Sequence, residues 1–149
     1  MRLPYREWDE DFEVFGVVYR FAFRGPVEDP PRWEVRVFDA AGEAAVPGVV
    51  RGKTEDDARW RAEEAIQTWA AVRRLHAVAS RVADRIAPGS EVLLSERATE
   101  MEVELIGGWA LGAPLLLDRD DVLDPDRTEE EWEAWIEAHL LEHAVQTSG

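Results

Sequence analysis

The stretch His139-Leu140-Leu141-Glu142-His143 has the spacing H-x-x-E-H. On a helix this spacing stacks two imidazoles one turn apart with a carboxylate beside them. Two neutral imidazoles so placed reach one Zn2+, and the glutamate can take a proton from a metal-bound water. That chemistry belongs to a metal-dependent hydrolase using His139, Glu142 and His143. The further carboxylate ligand that such centres take from downstream is not apparent after His143. Imidazoles on an ordinary helix face are the plainer reading, so no metal ligand is assigned.

A phosphate-binding loop is the second candidate. Gly48-Val49-Val50-Arg51-Gly52-Lys53-Thr54 resembles G-x-x-x-x-G-K-[ST], and Lys53 is the only lysine in the chain. Three residues separate the glycines instead of four, and two of them are valines that resist the turned backbone of a phosphate nest. Glu55, Asp56 and Asp57 then fill the positive end of the helix that follows, where phosphate would sit. The stretch reads as a helix cap, with Thr54 as the capping residue. Asp118, Asp120, Asp124, Asp126 and Glu129 fall on calcium-loop positions, but Val122 stands at a ligand position and Leu123 where the loop needs glycine. Ser80, Ser90, Ser95 and Ser148 sit in no nucleophile elbow. No catalytic residue and no cofactor follow from these motifs.

The elements that would carry these residues can be read from periodicity. Phe12–Arg24 alternates, with Phe15, Val17, Tyr19, Phe21 and Phe23 on one face and Arg20 and Arg24 on the other. Gly25-Pro26 and Asp29-Pro30-Pro31 predict a loop. Trp33, Val35 and Val37 predict a second strand, and Ala45–Arg51 a third, giving a three-stranded antiparallel meander. From Thr54 to Pro88, Ala58, Ala62, Ala65, Trp69, Val72, Ala79, Ala83 and Ile86 mark the stripe of one long helix, least regular near Arg73–His76. EVLLS and MEVELIG predict further strands, and GGWALGAPLLLD a glycine-bent strand or loop. Thr128 with Glu131 makes a capping box for a last helix, whose face is Trp132, Trp135, Ile136, His139, Leu140 and His143. The expected fold class is α+β: the meander packed by the long helix, then further strands and a C-terminal helix. We expect a single domain over 1–149, with a βββα core at 14–87 and an acidic extension at 88–149. Trp33, Trp69, Trp132 and Trp135 fall on expected core faces, whereas Trp8, Trp60 and Trp109 are candidates for a partner surface.

Three strands, then Pro47-Gly48, Gly52 and Thr54, then a helix with Ala58, Ala62, Ala65 and Ile66, resemble the N-terminal βββα module of HicB-type antitoxins. The resemblance covers about Val14 to Trp69. Ala45-Val46 stands where that family usually has Pro-Asp. It implies a βββα fold and protein partnering; it implies neither operator binding nor a catalytic residue.

Composition narrows the classes further. With no cysteine in 149 residues, disulfides, thiolate metal sites and cysteine nucleophiles are excluded. Net charge is −15, and residues 91–149 carry 16 acidic against 3 basic side chains. A field of that sign repels nucleic-acid backbones, so no direct nucleic-acid binding is expected. The sequence shows neither a secretory signal nor an apolar run of membrane-spanning length, so a soluble cytoplasmic protein without membrane contact is expected. The expected function is a small acidic, non-enzymatic protein-binding module, antitoxin-like or an accessory subunit, whose partner is another protein. A homodimer through sheet edges or the long helix is compatible with the pattern. The alternatives are an acidic mimic of nucleic acid that inhibits a DNA- or RNA-binding protein, and the hydrolase.

Overall fold

Strand alternation begins before Phe12. In the computed structural model, which describes residues 3–147, β1 (Arg6–Val14) and β2 (Val17–Val27) form a hairpin. The expected single strand over Phe12–Arg24 is therefore corrected. It is cut by a two-residue turn at Phe15 and Gly16, both at positive φ (50° and 78°), the backbone that joins twisted antiparallel strands most directly. β1 escapes a hydropathy reading because its inward row, Trp8, Glu10, Phe12 and Val14, contains a carboxylate and sits among Glu7, Asp9, Asp11 and Glu13. The Gly25-Pro26 loop is also corrected: β2 runs on to Val27 through a bulge between Arg24 and Val27, where proline costs no ladder bond.

β3 (Arg32–Phe38) follows as expected, but β4 is only Val50–Gly52. The Ala45 end of the expected third strand contributes one bond, from Ala45 N–H to the Val37 carbonyl at 2.9 Å, before Pro47-Gly48 turns the chain. The sheet order is β1-β2-β3-β4, all antiparallel, so four strands stand where the sequence predicted three.

The chain divides into two compact units, Met1–Ala70 and Ala71–Gly149. The helix α1 (Glu55–Ile86) spans the division and is unbroken through Arg73–His76, where the sequence allowed a break. In the first unit its residues Ala58, Ala62, Ile66 and Ala70 close onto Tyr19, Phe21, Phe23, Val35 and Val37 of the sheet. Alanines at the contact let the helix backbone come close, and aromatic rings fill the remaining space. Trp8 stacks on Phe23 with ring centroids 5.0 Å apart, and Trp69 meets Tyr19 edge-on.

The second unit holds the rest of α1 and β5 (Glu91–Glu96), β6 (Glu100–Ile106), β7 (Trp109–Leu111) and β8 (Leu115–Asp118). α2 (Arg119–Leu123), α3 (Glu129–His143) and β9 (Ala144–Gln146) complete it. β5-β6-β8 form an antiparallel sheet, and β7 pairs with β9. Arg85 bonds Glu133 at 2.9 Å, and Arg74 covers the Trp132 ring at 4.8 Å, tying this part of α1 to α3.

The fold is α+β, as the sequence predicted. The capping box of α3 is also present in full: Glu131 N–H donates to the Thr128 hydroxyl at 3.2 Å, and Thr128 N–H to the Glu131 carboxylate at 3.3 Å. Thr128→Ala is expected to lower stability by about 1 kcal/mol, readable as a drop of a few degrees in Tm. Trp135 departs from its expected core position: it is 40% exposed, with the Arg127 guanidinium 5.2 Å above the ring.

Candidate functional site

The Gly52-Lys53-Thr54 stretch is a cap. Thr54 Oγ1 accepts from Asp57 N–H at 3.0 Å, and the Asp57 carboxylate accepts from Lys53 N–H, also at 3.0 Å. That bond, helped by Arg61, holds the Asp57 carboxyl below the usual carboxylate range. Two amides that would meet a phosphate are already engaged within the chain, Lys53 N–H by a carboxylate and Asp57 N–H by a hydroxyl.

His139 and His143 do stack, with ring centroids 4.4 Å apart. His139 donates Nε2–H to the Ala113 carbonyl at 2.7 Å, which leaves only Nδ1 for a cation. The Glu142 side chain is 77% exposed and 3.8 Å from His143 Nε2. Among the described residues, no group of three or more His, Asp or Glu side chains is placed to hold a metal ion. The aspartates of the calcium-like stretch act as local caps instead. Asp118 accepts from Asp120 N–H at 2.8 Å at the start of α2, Asp124 accepts from Asp126 N–H at 2.9 Å, and Asp121 pairs with Arg127 at 3.0 Å. Of the tryptophans picked for a partner surface, Trp60 is 60% exposed. Trp8 and Trp109 are half-buried, the latter donating Nε1–H to the Pro88 carbonyl at 3.2 Å.

The structure instead gathers charge on the outward face of each sheet. In the first sheet, register aligns Glu7, Arg24, Glu34 and Arg51 in one row across four strands, with alternating sign. Within this row Glu34 is buried, accepting from Arg24 Nη2 at 2.8 Å and Nε at 3.1 Å, with Arg51 Nε 3.7 Å away. The small side chain of Ala22 leaves a shallow cleft of about 270 Å³ beside the row, walled by Glu7, Asp9, Arg24 and Arg36. On the opposite face, Arg59 donates to both oxygens of Glu10, at 2.9 and 2.6 Å, and Trp8 Nε1–H adds a bond at 2.8 Å.

These bonds, Arg59 first, hold the Glu10 carboxyl below the ordinary glutamate range. A depressed carboxyl contributes stability that is present above the unfolded-state pKa and lost as pH falls through the folded-state value. Below about pH 4.3, where an unfolded glutamate titrates, this contribution fades. Glu10→Gln is therefore expected to cost on the order of 1 kcal/mol at pH 7 and progressively less as pH falls below that range, measured by urea melts across the acid range.

In the second sheet the inward row is Met101, Val103 and Leu105, flanked by Leu115 and Leu117, all buried. The outward row of β6 is Glu100, Glu102, Glu104 and Ile106. Cross-strand neighbours add Glu91, Leu93 and Ser95 from β5 and Leu116 and Asp118 from β8. Glu102, 8% exposed, is clasped by Arg97 through Nη2 at 2.6 Å and Nε at 3.1 Å. The Glu102 carboxylate raises the guanidinium's pKa, and Glu100 and Glu104 strengthen the same field. Leu93, Ile106 and Leu116 remain 44%, 43% and 48% exposed. The alternating glutamates of β6 were visible in the sequence. The outward leucines were not, because EVLLS and LLLD read as unbroken apolar runs with no indication of which member faces out.

Comparison with protein-family models, curated proteins and solved structures finds no match. No helix among the described residues is long and apolar enough to cross a membrane.

Proposed function

We propose that this chain is a non-enzymatic protein-binding module of the antitoxin-like or accessory-subunit kind. The observation that carries the reading is the outward face of β5-β6-β8, where Leu93, Ile106 and Leu116 stand in solvent among carboxylates. Apolar side chains grouped on a regular, rigid sheet face and rimmed by charge have the composition of a contact surface. The antitoxin-like character rests on the resemblance at Pro47-Gly48, Gly52 and Thr54. Affinity purification from the native host, with mass spectrometry of the eluate, tests the reading. It predicts one stoichiometric protein partner; repeated recovery of the chain alone removes it.

A mimic of nucleic acid is the second reading, and β1 favours it. Glu7, Asp9, Asp11 and Glu13 are all exposed on the outward side of this edge strand. Alternate residues of a strand repeat at roughly 6.8 Å, a polyanion-like spacing. Affinity for a basic groove that falls steeply as salt rises is the expected signature, and salt-insensitive binding eliminates it.

A further inference from the structure

We infer that the outward face of β5-β6-β8 receives a cationic amphipathic segment of another protein, in which arginine or lysine alternates with large apolar residues. This assignment rests on the protein-binding reading and adds the location and chemistry of the contact. Along β6, Glu100, Glu102 and Glu104 repeat at roughly 6.8 Å. Glu91 and Asp118 extend the negative charge to the flanking strands. Arg97 is the cation over this face, and Glu102 engages it through two hydrogen bonds. Glu100 and Glu104 feel the field of that same guanidinium, but among the described residues neither forms a salt bridge of its own.

The apolar component is equally ordered. Leu93 flanks the glutamate row on one side, diagonal to Ile106 at the end of that row, and Leu116 flanks it on the other side. Diagonal cross-strand neighbours are close enough for one long side chain to touch both. A purely ionic ligand would leave these three residues wet, and a purely apolar one would strip water from carboxylates without replacing it. Only a segment with both kinds of side chain satisfies the whole face.

Charge selects against the other occupants. A second copy would bring another chain of net charge −15 against this acidic face. Nucleic acid and the anionic membrane surface carry the same sign as the face and are repelled.

The probe is a fluorescent synthetic peptide of alternating leucine and arginine, compared with one in which serine replaces each leucine. Anisotropy titrations of the full chain should show the leucine–arginine peptide binding about tenfold or more tighter, with affinity falling as salt rises. Leu116→Ser and Glu104→Lys should each weaken it about tenfold, whereas Glu64→Lys at an exposed position of α1 should leave it unchanged. Amide shift changes in the unmodified chain should concentrate in β5, β6 and β8, which keeps the test independent of how the variants fold. Equal binding of the two peptides, equal weakening by Glu64→Lys and Glu104→Lys, or shifts centred on β1–β4 would overturn the assignment. So would a dimer, seen by sedimentation, that Leu116→Ser dissociates. A native partner that stays bound to both the Leu116→Ser and Glu104→Lys variants would sink this site and leave the protein-binding reading intact.

Discussion

Gly52→Ala is expected to destabilise the protein by about 3 kcal/mol or more, lowering Tm by roughly 10 °C. A Cβ at this position would lie 2.3 Å from Ala58 N, 2.7 Å from Ala58 Cα and 2.8 Å from the Asp57 carbonyl carbon. All three are backbone atoms of the first turn of α1, so no side-chain rotation can relieve the overlap. Either β4 must leave β3 or the helix must lift from the core that Ala58 and Ala62 seal. Gly48→Ala is the control. Gly48 has φ +72° and no neighbour within 4 Å, so a Cβ there meets only the ordinary penalty of left-handed backbone, about 1 kcal/mol. Equal melting temperatures for the two variants would remove this account of why glycine precedes Lys53.

Trp132→Ala should cost about 3–5 kcal/mol, the second large effect. Trp132 is 1% exposed and ranks first by size among the fully buried side chains of the described residues. Truncation leaves a cavity that Ile136 and Leu140, on the same helix face, cannot fill without moving α3. It also removes the ring beneath the Arg74 guanidinium. Trp132→Phe separates the two parts of the side chain. Nε1 has no hydrogen-bond partner among the described residues, so losing it costs little, and the remaining ring should hold the loss to about 1–2 kcal/mol. Urea denaturation of the three proteins gives the comparison. A Trp132→Ala midpoint indistinguishable from the parent would mean that α3 is not anchored by this residue.

What the sequence disclosed follows from how local each signal is. The two helix starts were legible because caps are written in adjacent residues, Thr54 with Asp57 and Thr128 with Glu131. The stripe of α1 was legible only in part: Ala58, Ala62, Ala79 and Ala83 are buried as expected, but Ala65, Trp69, Val72 and Ile86 are half-buried, and between the two ends the seam runs through Ile66, Ala70, Leu75 and Val78. β1 was not, since its inward Glu10 belongs to Arg59, forty-nine residues away, and no window around Glu10 contains that partner. Trp135 misled for the opposite reason: it has helical spacing from Trp132, but Arg127 gives it a cover that leaves it partly in solvent. The surface chemistry was the least legible part. The buried glutamates Glu34 and Glu102 owe their burial to arginines on a neighbouring strand and a preceding turn, pairings that depend on register. The motif-like stretches at Gly48–Thr54 and His139–His143 were conspicuous in the string, but the first is an ordinary helix cap, and the second has one imidazole bonded to a carbonyl.

The acid on the outward side of β1 also bears on how this protein behaves in a crowd. The hairpin partner of that strand carries Tyr19, Phe21 and Phe23, a segment whose β-propensity would make it a seed for cross-β fibrils if its neighbour's free edge could recruit another copy. Four like charges along that rim make stacking of identical chains repulsive, so this aromatic stretch is guarded by the strand it folds against.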